Sequence, residues 1–306
     1  MSTKPKIYFA DHVDLPLPDD HRFPADKYRR TRQDLIERHD FKPDYFTPSP
    51  LIDYADLIAV HDPTYVEKVF HGQLSKHEQR KIGFPWSPDL VRRCRASTGG
   101  TLAAARIALN AGYAAQLAGG THHAHYAFGA GYCVFNDFAV AVYCLRRDKL
   151  LQKVAIIDLD VHHGDGNASL LTQDPDTLVF SMHGAKNYPS KKPPSDLDIA
   201  LDDDVTGEEY LHLLSQALVE VQSFAPDLIL YQAGVDALAS DRLGRLHLSH
   251  EDLAERDRLV FSYAQSFNIP CVHVLGGGYS KPIDDTVRAY CQTFTIARDI
   301  FWSEIS

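Results

Sequence analysis

Val154-Ala-Ile-Ile-Asp158-Leu-Asp160-Val-His162-His163-Gly164-Asp165-Gly166 changes character partway along its length. Its opening is uniformly apolar, as in a strand buried on both faces, and we read Val154–Leu159 as that strand. Its end carries two carboxylates and two imidazoles, then a third carboxylate set between two glycines. Residues two apart in extended chain face the same way, so Asp160 and His162 can address one cation together. Asp158 lies on their side and can anchor a neighbouring group. His163 should face the opposite way, which gives it a structural role.

Working outward, the same alternation recurs. Ile7–Ala10, Leu178–Met182, Leu228–Gln232 and Cys271–Leu275 read as strands, and Leu57–Val60 is a further short apolar run. Ala25–Arg38, Pro63–Phe70, Ser87–Asn110, Gly207–Phe224, Ser249–Phe267 and Ile283–Trp302 read as helices. Ser87-Pro88-Asp89 and Ser249 supply start signals for two of them. Apolar strands separated by helix-length segments predict one α/β domain over residues 1–306. Its core is an open, doubly wound, mostly parallel sheet flanked by helices. Such sheets carry ligands at the carboxyl ends of their strands. The longest stretches without a helix or strand pattern, Val13–Ala25, Gly72–Trp86 and Gly184–Asp204, are expected to shape the mouth of a site there.

With 306 residues, 44% of them hydrophobic, the chain can bury a large core without disulfides or metal staples. The formal net charge is −10, and no lysine- or arginine-rich run stands out. Direct nucleic-acid binding is therefore not expected, whereas bulk acidity suits a cationic partner such as a polyamine or lysine-rich tail. None of the five cysteines forms a C-x-x-C pair, so they read as reduced core or helix residues. Met1–Lys6 leads into Ile7-Tyr8-Phe9 without an apolar leader, and no apolar run reaches membrane length. These features predict a cytoplasmic protein without a membrane partner. No segment identifies an oligomeric interface.

Unusual polar residues collect where strands end. His122-His123 follows Leu117-Ala-Gly-Gly-Thr121, Asp236 follows Gln232-Ala-Gly-Val, and Gly276-Gly-Gly-Tyr279 follows Val272-His-Val-Leu275. Each alone has a bland reading: an Asp-x-His turn, a satisfied histidine pair, a flexible glycine turn. The glycine run also lacks the Lys-Ser/Thr of a phosphate loop. Four such ends on one sheet describe a shared site. Asp160, His162 and Asp236 would give three protein ligands and leave open positions, the pattern of a catalytic metal. Two carboxylates and an imidazole suit Zn²⁺ and also Fe²⁺, since no thiolate discriminates between them.

Asp158–Gly166 (D-L-D-V-H-H-G-D-G) resembles the signature of the histone deacetylase and acetylpolyamine amidohydrolase superfamily, whose fold is the arginase/deacetylase type. Gly119–Ala124 (G-G-T-H-H-A), Gly131–Asp137 (G-Y-C-V-F-N-D), Gln232–Asp236 (Q-A-G-V-D) and Leu275–Tyr279 (L-G-G-G-Y) resemble its other blocks, in the same order. The resemblance runs from about Pro63 onward. His21–Pro24 (H-R-F-P) and Ile82–Pro85 (I-G-F-P) resemble its class IV-like bacterial branch. It implies a zinc-dependent deacylase with Asp160, His162 and Asp236 as metal ligands. His122 and His123 match the tandem histidines, oriented by Asp158 and Asp165 respectively, and Tyr279 the tyrosine that hydrogen-bonds the substrate carbonyl. Gly131, Tyr132 and Leu243 match the acyl-lysine tunnel; relatives commonly carry Phe where Tyr132 stands. A monovalent cation such as K⁺ is implied near Asp158, Asp160, His162, Ser181 and Met182. His61, His183, His212 and His273 are expected to be solvated or core groups.

The implied reaction is removal of an acyl group, acetyl or longer, from a lysine side chain of a protein or peptide. His123 would serve as general base and His122 as a cationic stabiliser. Acetylated polyamines or another small amide are the alternative substrates, and a non-catalytic acyl-lysine binding module is a further alternative. An arginase-like two-manganese centre is disfavoured because Ala-Leu-Ala-Ser separates Asp236 from Asp241, where a second Asp-x-Asp cluster is needed.

Overall fold

The computed structural model describes residues 6–18 and 21–302. The leader reading of Met1–Pro5, and Asp19-Asp20 within the first mouth loop, lie outside the described residues. Eight strands form one sheet: β1 (Ile7–Phe9), β2 (Phe46–Pro48), β3 (Tyr113–Leu117), β4 (Val154–Asp158), β5 (Thr177–Gly184), β6 (Leu197–Leu201), β7 (Leu228–Gln232) and β8 (Cys271–Val274). Their order is β2-β1-β3-β8-β7-β4-β5-β6, and every ladder between them is parallel. All residues of β3, β4, β7 and β8 are buried, so these four central strands are covered on both faces.

Among the described residues, ten α-helices accompany them: α1 (Lys27–Arg38), α2 (Tyr54–Ile58), α3 (Pro63–His71), α4 (Lys76–Ile82), α5 (Pro88–Ala111), α6 (Asp137–Arg147), α7 (Asp165–Leu171), α8 (Gly207–Phe224), α9 (His250–Ser266) and α10 (Ile283–Phe301). One packed group runs α5–α6–α7, and the other runs α8–α9–α10–α1. Local chemistry sets their ends. Ser87 accepts from the Leu90 amide to open α5, and Ser249 with Asp252 forms a reciprocal box opening α9.

Several elements depart from the expectations. The segment 72–86 folds in part as α4, opened by a Ser75/Glu78 capping box, and 184–204 contains the edge strand β6. The apolar run Leu57–Val60 begins within the short helix α2. No pattern announced α6, because Phe138–Val142 is buried all round and leaves no one-sided stripe to read. β2, only three residues long at the sheet's edge, also lacked a readable signal. No described helix is long and apolar enough to cross a membrane. All five cysteines are free.

The strand order explains where a site can form. β3 and β4 are successive in the chain, yet β8 and β7 lie between them. The connections after these strands therefore diverge, opening a crevice at the carboxyl ends of the central four.

Candidate metal centre

Four strand ends converge on that crevice. Asp160 and His162 follow β4, Asp236 follows β7, His122 and His123 follow β3, and Tyr279 follows β8; all line one cavity of about 670 Å³. His162 Nδ1 lies 3.0 Å from Asp160 Oδ1 and 3.0 Å from Asp236 Oδ2. Asp160, His162 and Asp236 each offer a ligand atom, all within 4.8 Å of one another. Both carboxylates are buried.

Backbone geometry holds these donors. Asp160 Oδ2 accepts from the Gly277 amide at 2.7 Å, and Asp236 Oδ1 accepts from the Val161 amide at 2.9 Å. A side chain on Gly277 would run into the Asp236 carboxylate, so the turn after β8 admits only glycine there. Buried Arg256 donates to the Gly234 carbonyl and to Asp257, fastening the turn that carries Asp236. Asp241, the carboxylate that a second metal would recruit, is spent on the amides of Leu243, Gly244 and Tyr279.

The electrostatics fit a cation. Burial and the neighbouring Asp160 push Asp236 up to about 7. His162, despite its burial, is raised to about 10 by its bonds to Asp160 and Asp236. Two buried carboxylates beside one imidazole thus favour positive charge between them, which a divalent cation would supply.

The tandem histidines divide into two pairs. His122 Nδ1 lies 2.8 Å from Asp158 Oδ2, and His123 Nδ1 lies 2.6 Å from Asp165 Oδ1. Burial disfavours charge on His122, but the Asp158 and Asp160 carboxylates outweigh it and raise it to about 9. Burial and the adjacent charge of His122 lower His123 to about 3, in spite of Asp165. Charge is therefore favoured on His122 and disfavoured on His123. With Nδ1 engaged, Nε2 of each is the nitrogen left for a reactant. Tyr279 is buried, and burial raises its hydroxyl well above the usual range, so it remains a donor.

The walls gather residues from distant segments. Tyr132 packs 5.2 Å from Phe23 and 5.3 Å from Phe84, which joins the His21–Pro24 and Ile82–Pro85 stretches at one aromatic wall. Gly131 and Tyr132 both have positive φ, 52° and 66°. A side chain on Gly131 would press on the His123 ring, with its Cβ only 2.6 Å from Cδ2. Leu243 lines the cavity, with its carbonyl held by Asn187. Ser181 lies opposite Asp158 in the β4/β5 ladder, and Met182 follows it, buried. The Ser181 hydroxyl is 3.0 Å from His183 Nδ1.

Among the histidines outside the centre, His163 contacts Asp198 and Ser195 and so ties β4 to the segment entering β6. His61 is buried between the His125 carbonyl and the Asn136 amide, His183 and His273 are buried, and His212 is exposed.

Other supporting residues had escaped sequence reasoning. Asp137 accepts from the amides of Gly120 and Thr121 and the hydroxyls of Thr101 and Thr121, which shapes the turn before the histidines. Its place in the Gly131–Asp137 block was the available signal. His125 Nε2 lies 3.1 Å from Asp165 Oδ2, so one carboxylate serves two imidazoles. Tyr188 stands edge-on to His123, 4.9 Å away. Lys27 is buried, donates to the Gly278 carbonyl at 3.0 Å, and lies 4.6 Å from the Tyr279 ring centre. Nothing in its own neighbourhood of the sequence pointed to it.

Comparison with known proteins agrees with this architecture. Residues 21–295 match the histone deacetylase domain family. A Picosynechococcus protein of uncharacterized function is 41% identical over 298 residues, 97% of this chain and 99% of its own. Histone deacetylase 2 of Arabidopsis thaliana is 34% identical over 207 residues, 66% of this chain; the match spans about half, 51%, of the plant protein. The crystal structure of a histone deacetylase homolog from Aquifex aeolicus superposes with a TM-score of 0.81 at 21% identity, covering 98% of this chain and 89% of that one, a likeness of fold. The chain belongs to the histone deacetylase family.

Proposed function

We propose that this protein is a metal-dependent amide hydrolase that removes an acyl group, acetyl or longer, from the side chain of lysine in a peptide or protein. The observation that carries this reading is the arrangement of His122 on Asp158 and His123 on Asp165 beside the Asp160/His162/Asp236 donor set in one cavity. Family membership supports the deacylase chemistry, and two carboxylates with one imidazole suit Zn²⁺ or Fe²⁺. Bound by those three residues, such an ion would polarise the amide carbonyl and make a nearby water more acidic. We further propose a K⁺ ion at Asp158, Asp160, His162, Ser181 and Met182.

The chain's own groups account for the proton movements. His123, neutral and oriented by Asp165, takes a proton from the attacking water at Nε2 as the oxygen bonds to the carbonyl carbon. The carbonyl oxygen gains negative charge and accepts a hydrogen bond from the Tyr279 hydroxyl. His122, held cationic by Asp158, stabilises the added charge without needing to titrate. When the C–N bond breaks, the proton on His123 passes to the leaving amine, and the acyl group departs as a carboxylic acid whose remaining proton is then lost to the amine or to solvent. The aromatic wall of Phe23, Phe84 and Tyr132 excludes water from the aliphatic stem of the acylated side chain.

The test is amide hydrolysis by purified protein on acetyl-lysine peptide, long-chain acyl-lysine peptide and acetylated polyamine, with and without a chelator. Chelator-sensitive turnover of the peptides is expected. Absence of turnover after Zn²⁺ or Fe²⁺ is restored would overturn the reading.

A further inference from the structure

Resting on that reading and narrowing its substrate, we infer that the cavity mouth receives carboxylates. The preferred substrate is an acyl-lysine flanked by acidic residues, and not a polyamine or lysine-rich tail.

The chain has 41 acidic and 31 basic residues, yet the cavity lining reverses that balance. Among the described residues, the only carboxylates in the lining are the inner pair, Asp160 and Asp236. Arg80, Lys81, Lys186, Arg242 and Arg245 line its outer part, and all five are exposed. They come from three separate segments: the last turn of α4, the loop after β5, and the loop after β7. Convergence of like charge from three segments is costly for the folded chain and is retained where an opposite charge visits.

Among the described residues, little neutralises this rim. Lys186 and Arg245 share a single carboxylate, Asp203, at 3.3 and 2.8 Å. Arg242 donates to the carbonyls of Tyr279, at 3.1 Å, and Arg22, at 3.4 Å, instead of to a carboxylate. The Lys81 ammonium stands 3.3 Å from the Phe128 ring centre, and Arg80 has no ion-pair partner among the described residues. Asp241 is taken by three backbone amides, and Asp165 by His123 and His125. The Lys192 ammonium clasps the carbonyls of Ala185, Asn187 and Pro189, which braces the loop that carries Lys186.

A low-dielectric cleft rimmed by one sign of charge concentrates ligands of the other sign and repels its own. A polyamine or basic tail would bring like charge to this mouth. The overall acidity of the chain, which by itself suits a cationic partner, is thus a poor guide to its substrate.

The experiment uses three peptides with the same acyl-lysine, flanked by aspartates, serines or lysines. Their kcat/KM is measured at about 0.01 M and about 1 M salt, where the screening length is about 30 Å and about 3 Å. The acidic peptide should exceed the basic one by about 10-fold at low salt, chiefly through KM, and the gap should close at high salt. With Arg80→Glu and Lys81→Glu combined, the acidic-to-basic ratio should invert. If that variant fails to fold, Lys186→Gln with Arg245→Gln should lower the same ratio. Equal turnover of the three peptides, or preference for the basic one, would overturn the inference. If even the serine peptide is not hydrolysed, the hydrolase reading fails, and fluorescence anisotropy of the same peptides decides the mouth separately. Salt-sensitive, tighter binding of the acidic peptide would sustain it, and equal binding would overturn it.

Discussion

At the inner end of the cavity the charged groups are buried, His162 partly so, and held by partners, whereas at the mouth they are exposed and mostly without carboxylate partners among the described residues. The inner end is assembled from the ends of central strands, whose positions the parallel ladders fix to within a residue. The mouth is assembled from α4 and from loops that share no ladder. Chemistry that needs groups at definite separations therefore sits on the sheet, and selection by charge, which tolerates looser placement, sits on the rim. Substitutions should divide accordingly: large, geometry-dependent losses inside, and small or salt-dependent changes outside.

The sharpest break is expected from Asp236→Ala. It removes one of three donors and leaves His162 and Asp160 without their partner, so metal content measured after dialysis should collapse together with turnover. Full metal occupancy in that variant would refute the donor set. Tyr279→Phe should follow, with a loss of about 10²–10³ in kcat. Metal content should be kept, because Tyr279 touches no proposed ligand; near-normal kcat would remove the tyrosine from the reaction.

Asp165→Asn should cost about 10- to 100-fold, as expected when an orienting partner is lost. Because Asp165 also holds His125, His125→Ala should reproduce only a small part of that loss, and kinetics of the two variants side by side measure the division.

Lys27→Met tests the packing behind Tyr279. Burial lowers Lys27 to about 8, against the raising pull of Asp236, Asp241 and Asp160. Between pH 8 and the usual value of 10.5, the unfolded chain binds more protons at this residue than the folded chain does. Lys27 therefore makes stability rise with pH across that window, by about 3 kcal/mol in all. Urea unfolding should show the rise in the parent chain and its loss in Lys27→Met; an unchanged slope would contradict the assignment. The smallest effect is expected at the mouth wall. Tyr132→Phe removes a hydroxyl that makes no side-chain hydrogen bond among the described residues and should change kcat/KM by less than about fivefold, the worth of one exposed hydrogen bond.

Much of the inner end was legible in advance. Asp160 and His162 share a face because extended chain has a period of two, and Asp158 and Asp165 reach the two histidines that family resemblance had paired with them. The strands β4, β7 and β8 matched their apolar runs to within a residue. Legibility failed where the signal was not local. Lys27 precedes the residues it supports by some 250 positions, and its importance lies in a buried environment that no nearby residue announces. Asp137 looked like one letter of a motif until four donors were found to converge on it. The segments 72–86 and 184–204 were read as structureless because short elements such as α4 and β6 carry too few residues for a period to show.

By itself, the sequence determined the class of sheet, the strand ends where the candidate site residues collect, and the donor types that suit a divalent cation. Those properties follow from hydrophobic period and residue identity, which are local quantities. Only the tertiary structure decided that β8 and β7 stand between β3 and β4, that His122 and His123 differ in charge, and that basic residues from three segments meet at the mouth. Each of these depends on distance and burial between residues far apart in the chain, and electrostatic energy is set by those two quantities.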